Sequence, residues 1–219
     1  MTERIFNQIA HRYDFLNRLL SLGLDQYWRK QAISFLPKSP NLKVLDIATG
    51  TADLALMMAQ RHDHIERVVG VDIAKDMLQI GRRKVKEAGL CDKIHLDTGD
   101  ALKLEFPNES FDAVTVAFGL RNMPNQAEAV REMRRVVKPG GRLIILEFSM
   151  PKHPIFRLIY LAYFRHILPV VGGLLSGHYQ AYRYLNQSVE QFDSSVLNKM
   201  QAYPLSLGIA TLYVSDSVA

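Results

Sequence analysis

Short apolar runs alternate along this chain with stretches in which apolar residues recur every three or four positions, the pattern of a parallel sheet covered by helices on both faces. Leu42 to Ile47 and Val68 to Val71 read as two strands, with a helix from Leu54 to Arg61 between them. Lys75 to Ala88 predicts the next helix, closed by Gly89 in a left-handed conformation, and Lys93 to Leu96 a third strand. Phe111 to Phe118 predicts a fourth. Gln126 to Val137 predicts a helix with Ala127, Val130, Met133 and Val137 on one face, stopped by Lys138-Pro139-Gly140-Gly141. Arg142 to Phe148 then predicts a fifth strand, and the fold class is α/β. The flanks, 1–40 and 150–195, lie outside this alternation and are rich in aromatics, so they are expected to build the substrate side.

The turn after the first strand carries the chemistry. Val44 to Ile47 runs into Ala48-Thr49-Gly50-Thr51-Ala52-Asp53, small residues that let a ligand approach the backbone, and the second strand ends in Asp72, placed to accept from ribose hydroxyls. A dinucleotide site needs glycines at G-x-G-x-x-G to seat a pyrophosphate, and only Gly50 is present, followed by Ala52 and Ala55. Asp46 and Asp53 flank the turn. They would repel a pyrophosphate and suit a ligand with an ammonium and a sulfonium, which describes S-adenosylmethionine. Asp46 reads equally well as a strand-end carboxylate capping nearby amides. Asp100-Ala101, after the third strand, would receive an adenine, although Gly99-Asp100 also has turn chemistry. Met77 would pack on the adenine face or serve as helix core.

Composition adds boundaries. The 219 residues fit one domain, and 27 Lys plus Arg against 22 Asp plus Glu give a net charge of +5, compatible with an anionic membrane surface or nucleic acid without demanding either. A lone cysteine, Cys91, permits neither an internal disulfide nor a zinc site, so no metal is expected. The start, Met1 to Phe6, lacks the apolar run of a signal peptide, which points to the cytoplasm.

The whole length resembles the ubiquinone/menaquinone biosynthesis C-methyltransferases, enzymes that use S-adenosylmethionine to methylate a ring carbon of a polyprenylated quinol. The resemblance rests on Phe6-Asn7-Gln8-Ile9-Ala10-His11-Arg12-Tyr13-Asp14-Phe15-Leu16-Asn17, Leu22-Gly23-Leu24-Asp25-Gln26-Tyr27-Trp28-Arg29-Lys30 and the turn above. Further on it rests on Phe118-Gly119-Leu120-Arg121-Asn122, Lys138-Pro139-Gly140-Gly141-Arg142, Glu147-Phe148-Ser149-Met150-Pro151 and Tyr182-Arg183-Tyr184-Leu185-Asn186-Gln187-Ser188. It implies a doubly wound, mostly parallel seven-stranded sheet of the class I S-adenosylmethionine-dependent methyltransferase type. The single domain would comprise an N-terminal helical lid (1–40), a cofactor-binding core (41–149) and quinol-side helices with a terminal strand (150–219). Thr51, Asp72, Asp100 and Ala101 would contact the cofactor, with Ala117 in reach. Three positions depart from the family. Ala52 replaces a usual Gly and puts a methyl group where close backbone approach is expected, Ala117 replaces a frequent Ser, and the segment from Met200 to Gly208 is short, leaving open whether the terminal antiparallel strands are complete.

Methylating a ring carbon requires a phenolate, because a neutral aromatic carbon is a poor nucleophile and a quinol hydroxyl has a tyrosine-like pKa near 10. Arg121 follows the fourth strand, where the cofactor methyl should point; a guanidinium stays protonated, so its expected role is electrostatic, with Asn122 orienting the hydroxyl. Tyr13, Asp14, His11 and His178 are candidate proton relays, although His11 reads more readily as a surface histidine on a helix. The segment from Ile155 to Leu175 contains Arg157, Arg165 and His166 and is too charged for a membrane span; it reads as an interfacial or tail-binding segment, or as a helix packed on the core. Peripheral contact with the inner face of the membrane follows from the first reading. Nucleic acid is not an expected partner: RNA methylation would need an Asn/Asp-Pro-Pro-aromatic motif or a strand-end cysteine, and neither is present. A nucleotide-dependent oxidoreductase lacks its glycines, and a cofactor-binding protein without turnover is the non-enzymatic alternative.

Overall fold

The computed structural model describes residues 14, 15, 17–170 and 179–216. Seven strands form one sheet: β1 (Leu42–Ile47), β2 (Ile65–Asp72), β3 (Ile94–Thr98), β4 (Phe111–Ala117), β5 (Val137–Phe148), β6 (Gln201–Leu205) and β7 (Ala210–Asp216). Their order is β3-β2-β1-β4-β5-β7-β6, parallel from β3 to β5, with β7 antiparallel to both its neighbours. The chain winds outward from β1 to β3, then returns to lay β4 on the free edge of β1. That reversal opens the crevice in which doubly wound sheets take ligands.

Both faces of β1 are covered, which is why it reads as an unbroken apolar run. On one face Val44 packs with Trp28 of α1 (Leu24–Ser34), Leu54 and Met58 of α2 (Asp53–Arg61) and Leu78 of α3 (Lys75–Glu87). On the other, Leu45 and Ile47 pack with Met133 and Val136 of α4 (Gln126–Val136) and with Leu197 of a 3-10 turn. A separate apolar cluster joins α5 (Pro154–Ala162), the π-helical turn Tyr163–Ile167 and α6 (Tyr179–Gln191) through Tyr160, Phe164, Leu168 and Val189. Among the described residues no helix is long and apolar enough to cross a membrane.

Local chemistry sets most boundaries. Gly89 (φ 67°) ends α3 with paired bonds, Gly89 N–H to Lys86 O at 3.0 Å and Leu90 N–H to Val85 O at 3.0 Å, which satisfy two of the helix's last carbonyls. The buried face of α4 differs from the expected one: Ala129, Val130, Met133 and Val136 point inward and Ala127 is exposed. Alanine is small enough to sit on either face, so it misdirects a reading by periodicity. The Lys-Pro-Gly-Gly run does end α4, but it lies within β5 as an irregularity where pairing jumps from Phe111↔Val137 to Ala113↔Arg142. The terminal antiparallel strands are complete. Ser206, Leu207 and Gly208 all have positive φ (46°, 61° and 88°), so a very short turn links β6 and β7 without a longer connection.

Candidate functional site

Beyond β1 the chain turns with left-handed residues at Ala48 (φ 52°), Gly50 (56°) and Ala52 (64°). Asp46, at 1 % exposure, accepts from Thr49 Oγ1 and Thr115 Oγ1, each at 2.7 Å. Burial raises its pKa to about 6, with the two hydroxyls and the positive charge of Arg29 acting in opposition. Asp72 pins the turn to β2, accepting from Gly50 N–H on one oxygen and from Ala74 N–H on the other, both at 2.8 Å.

Two cavities meet this turn. A larger one of about 290 Å³ is bordered by Asp72, Met77, Asp100, Ala101, Ala117 and Asn122. Asp100 lines this cavity and also accepts from Leu102 N–H at 2.9 Å as a turn residue. Met77 is likewise both helix core and cavity wall. Asn122 lines the same cavity with a buried Oδ1 that has no partner among the described residues. A smaller recess is lined by Asp46, Gly50, Thr51, Asp53, Ala117 and Arg29.

Ala52 contributes to neither cavity. Its methyl group is fully buried and turned toward α3, where a Cβ built on Gly81 would lie 3.2 Å from it, so the expected intrusion on the ligand does not occur. Asp14 also differs from its expected place. Its carboxylate accepts from Thr51 Oγ1 at 2.6 Å and from Lys84 Nζ at 2.9 Å, and Lys84 bridges on to Asp53. The pull of Lys84 attaches Asp14 to the turn after β1. Tyr13, His11 and His178 lie outside the described residues.

On the far side of Phe118 lies a second large cavity of about 310 Å³, walled by Trp28, Phe118, Phe148, Tyr160, Phe164 and Leu185. Both large cavities are near the lower end of the ordinary range for small-molecule sites, about 300–1,000 Å³. Trp28 meets Phe118 and Phe148 edge-on, with centroids 6.0 Å apart in each case, and Phe118 and Phe148 are 4.4 Å apart. Trp28 Nε1 donates to Ser206 Oγ at 2.8 Å, and Tyr163 Oη to Leu20 O at 2.8 Å, so α1 and the segment before it are tied to the C-terminal flank. Arg121 lines this cavity as expected, but it is not a free charge. Nη1 donates to Glu147 Oε2 at 3.0 Å, Nε to Ser188 Oγ at 3.3 Å, and the guanidinium lies over the Phe148 ring at 5.2 Å. Glu147, fully buried, also accepts from the backbone N–H of Arg121 and of Phe148. Tyr160 presents a buried hydroxyl with no partner among the described residues, and burial pushes its pKa well above the ordinary range, so it is a neutral hydrogen-bonding group.

Glu147, Arg29, Trp28 and Tyr160 were not among the expected site residues. Glu147 had a signal, as a carboxylate at the end of the apolar run from Leu143 to Leu146. Arg29 and Tyr160 lie in helices whose sequence does not separate a wall residue from a surface residue.

The model of the ubiE/COQ5 methyltransferase family matches residues 1–202. A Thermus thermophilus protein named demethylmenaquinone methyltransferase is 47 % identical over 97 % of this chain and 99 % of its own length. A Deinococcus radiodurans protein of the same name is 42 % identical over 98 % and 91 %. A Geotalea daltonii protein named ubiquinone/menaquinone biosynthesis C-methyltransferase UbiE is 40 % identical over 98 % and 95 %. Among solved structures, a SAM-dependent methyltransferase from Aquifex aeolicus shares the fold with a TM-score of 0.56 at 16 % identity, over 87 % of this chain and 89 % of its own. The [4+2]-cyclase SpnF does so with a TM-score of 0.64 at 17 % identity, over 90 % and 81 %. That a cyclase has this architecture leaves the reaction to be argued from the site.

Proposed function

Because this chain belongs to the ubiE/COQ5 methyltransferase family, we propose that its joined cavities methylate a ring carbon of a polyprenylated quinol, converting a demethylmenaquinol to a menaquinol. It is an S-adenosylmethionine-dependent methyltransferase of quinone biosynthesis. The observation that carries the substrate reading is Phe118, one wall shared by a cavity edged with Asp72, Asp100 and Asn122, the more polar of the two, and a strongly apolar one. S-adenosylmethionine fits the polar side. Asp72 suits its ribose, Asp100 and Ala101 its adenine, the buried acceptor of Asn122 an N–H donor, and Asp46 with Asp53 its ammonium. The bound cofactor supplies a methyl group on a sulfonium, an electrophile for in-line displacement.

The protein's part is to hold a quinol as its phenolate against that methyl group. The aromatic walls exclude water, which strengthens each hydrogen bond within. Arg121, fixed by Glu147 and Phe148, acts as an aimed donor to the ring oxygen, and Tyr160 offers a second. A phenolate held there would direct its electron density to the ring carbon that takes the methyl group, and the proton displaced from that carbon would pass to bulk solvent as the ring regains aromaticity. Part of α5 carries the membrane reading: Ile155, Leu158 and Ile159 are 63 %, 71 % and 61 % exposed. Phe156 and Ile159, also of α5, line the apolar cavity. An apolar surface at that position would let a lipid-borne tail pass into the cavity, with the protein peripheral on the bilayer.

The names of the Thermus and Deinococcus relatives favour a naphthoquinol; that of the Geotalea relative keeps a benzoquinol as the second reading. Purified protein with methyl-labelled cofactor and each demethylated quinol in turn tests both. Label entering demethylmenaquinol supports the first, label entering only the benzoquinol supports the second, and label in neither rejects the quinol assignment.

A further inference from the structure

Arg29, on α1, is 8 % exposed, and its Nε is buried with no hydrogen-bond partner among the described residues. Its guanidinium lies over the Phe118 ring, 5.5 Å from the centroid, and it lines both the apolar cavity and the small recess below the cofactor turn. A buried guanidinium N–H left without an acceptor is costly unless a ligand completes it, and the charge of Asp46 nearby offsets only part of that cost. The recess needs that cation. Asp46 and Asp53 line it, Arg29 is its one lining cation among the described residues, and nearby Lys84 is engaged by Asp14 and Asp53.

We propose that Arg29 binds the α-carboxylate of S-adenosylmethionine, so that the recess recognises the amino-acid end of the cofactor as a zwitterion. The inference rests on the cofactor reading above and assigns a residue to the charge which that reading leaves unmatched. With Asp46 and Asp53 facing the ammonium, the cofactor's carboxylate would otherwise enter a recess of its own sign. A planar guanidinium suits a carboxylate, since two N–H groups meet two oxygens. The position of Arg29 above Phe118 adds a second consequence: the residue that holds the cofactor's end also lines the acceptor cavity, so α1 must be in place before both sites are complete.

Calorimetry with S-adenosylmethionine and with its decarboxylated analogue tests this. Wild-type protein is expected to bind S-adenosylmethionine about ten- to a hundredfold more tightly than the analogue. Arg29→Met should lose that preference by weakening S-adenosylmethionine while leaving the analogue within about twofold; Arg29→Lys should keep part of it. Equal wild-type affinities for the two ligands overturn the proposal without any variant. Loss of both ligands alike in a folded Arg29→Met, or a fall in turnover with the affinity ratio intact, also overturns it. Wild-type protein that binds neither compound rejects the cofactor reading itself, and the proposal with it.

Discussion

Asp46 is held in place by two threonines while burial raises its pKa to about 6, and the proposed function gives the same side chain a ligand to meet. Its folded pKa lies above the ordinary 3.8, so folding favours the protonated form. Stability is therefore lost as pH rises from about 4 to 6, on the order of 2–3 kcal/mol, and stays level above that. An ammonium beside it reverses the preference. Cofactor affinity should fall as pH drops below about 6, by up to roughly tenfold per unit, and Asp46→Asn should flatten the profile. Calorimetry between roughly pH 5 and 7.5 measures this, and a flat wild-type profile removes Asp46 from contact with the ligand.

For Arg121 the buried pair sets the expectation: Arg121→Ala leaves Glu147 uncompensated and should cost about 3–5 kcal/mol of stability as well as turnover. Replacing both partners, Arg121→Met with Glu147→Leu, should restore most of the stability in denaturant unfolding and none of the turnover. Recovered turnover would make the pair purely structural. Residues of the turn were legible in the sequence because strand-end carboxylates and small residues signal locally. Asp14 was not, since its position depends on Lys84, which is distant in sequence and close only once α3 has packed.

Among the elements, the loops after β1 and β4 touch at their backbones. A Cβ built on Gly119 would lie 2.5 Å from Ala48 Cβ and 3.3 Å from Val116 Cγ1. Gly119→Ala should therefore cost about 1–3 kcal/mol and also weaken cofactor binding, because Ala48 lines the polar cavity. Gly89 makes the control. Nothing lies within 4 Å of its missing side chain, so Gly89→Ala pays only for positive φ, about 1 kcal/mol, with binding unchanged. Equal effects on binding would show that Gly119 acts through global stability. The β-α alternation of the core was readable because β1, β4 and β5 carry buried apolar residues on both faces and α3 and α4 have local stop chemistry. The terminal hairpin was not, because three successive left-handed residues, two of them not glycine, make a turn that composition does not announce.

For the whole molecule, α5 has two faces, Tyr160 turned to the interior and Ile155, Leu158 and Ile159 exposed, so one side is packed on the core and the other is the proposed docking face. Leu158→Glu alters the outer face alone. It should lower binding to anionic vesicles about tenfold or more, with turnover of a tail-less quinol in solution unchanged. Unchanged vesicle binding in flotation would reject the docking face; Leu174, at the far end of the same segment, lies outside the described residues. The bond from Trp28 to Ser206 spans 178 positions. The polar cavity is built mainly from the ends of β1 to β4 and the turns that follow them, whereas the acceptor wall needs residues from both flanks. Closing so long a loop is slow, and during synthesis it must wait for Ser206 to emerge. On the ribosome, then, the half that holds the methyl donor can assemble well before the half that receives it, and a half-made chain has no finished chamber in which the donor could react with the wrong acceptor.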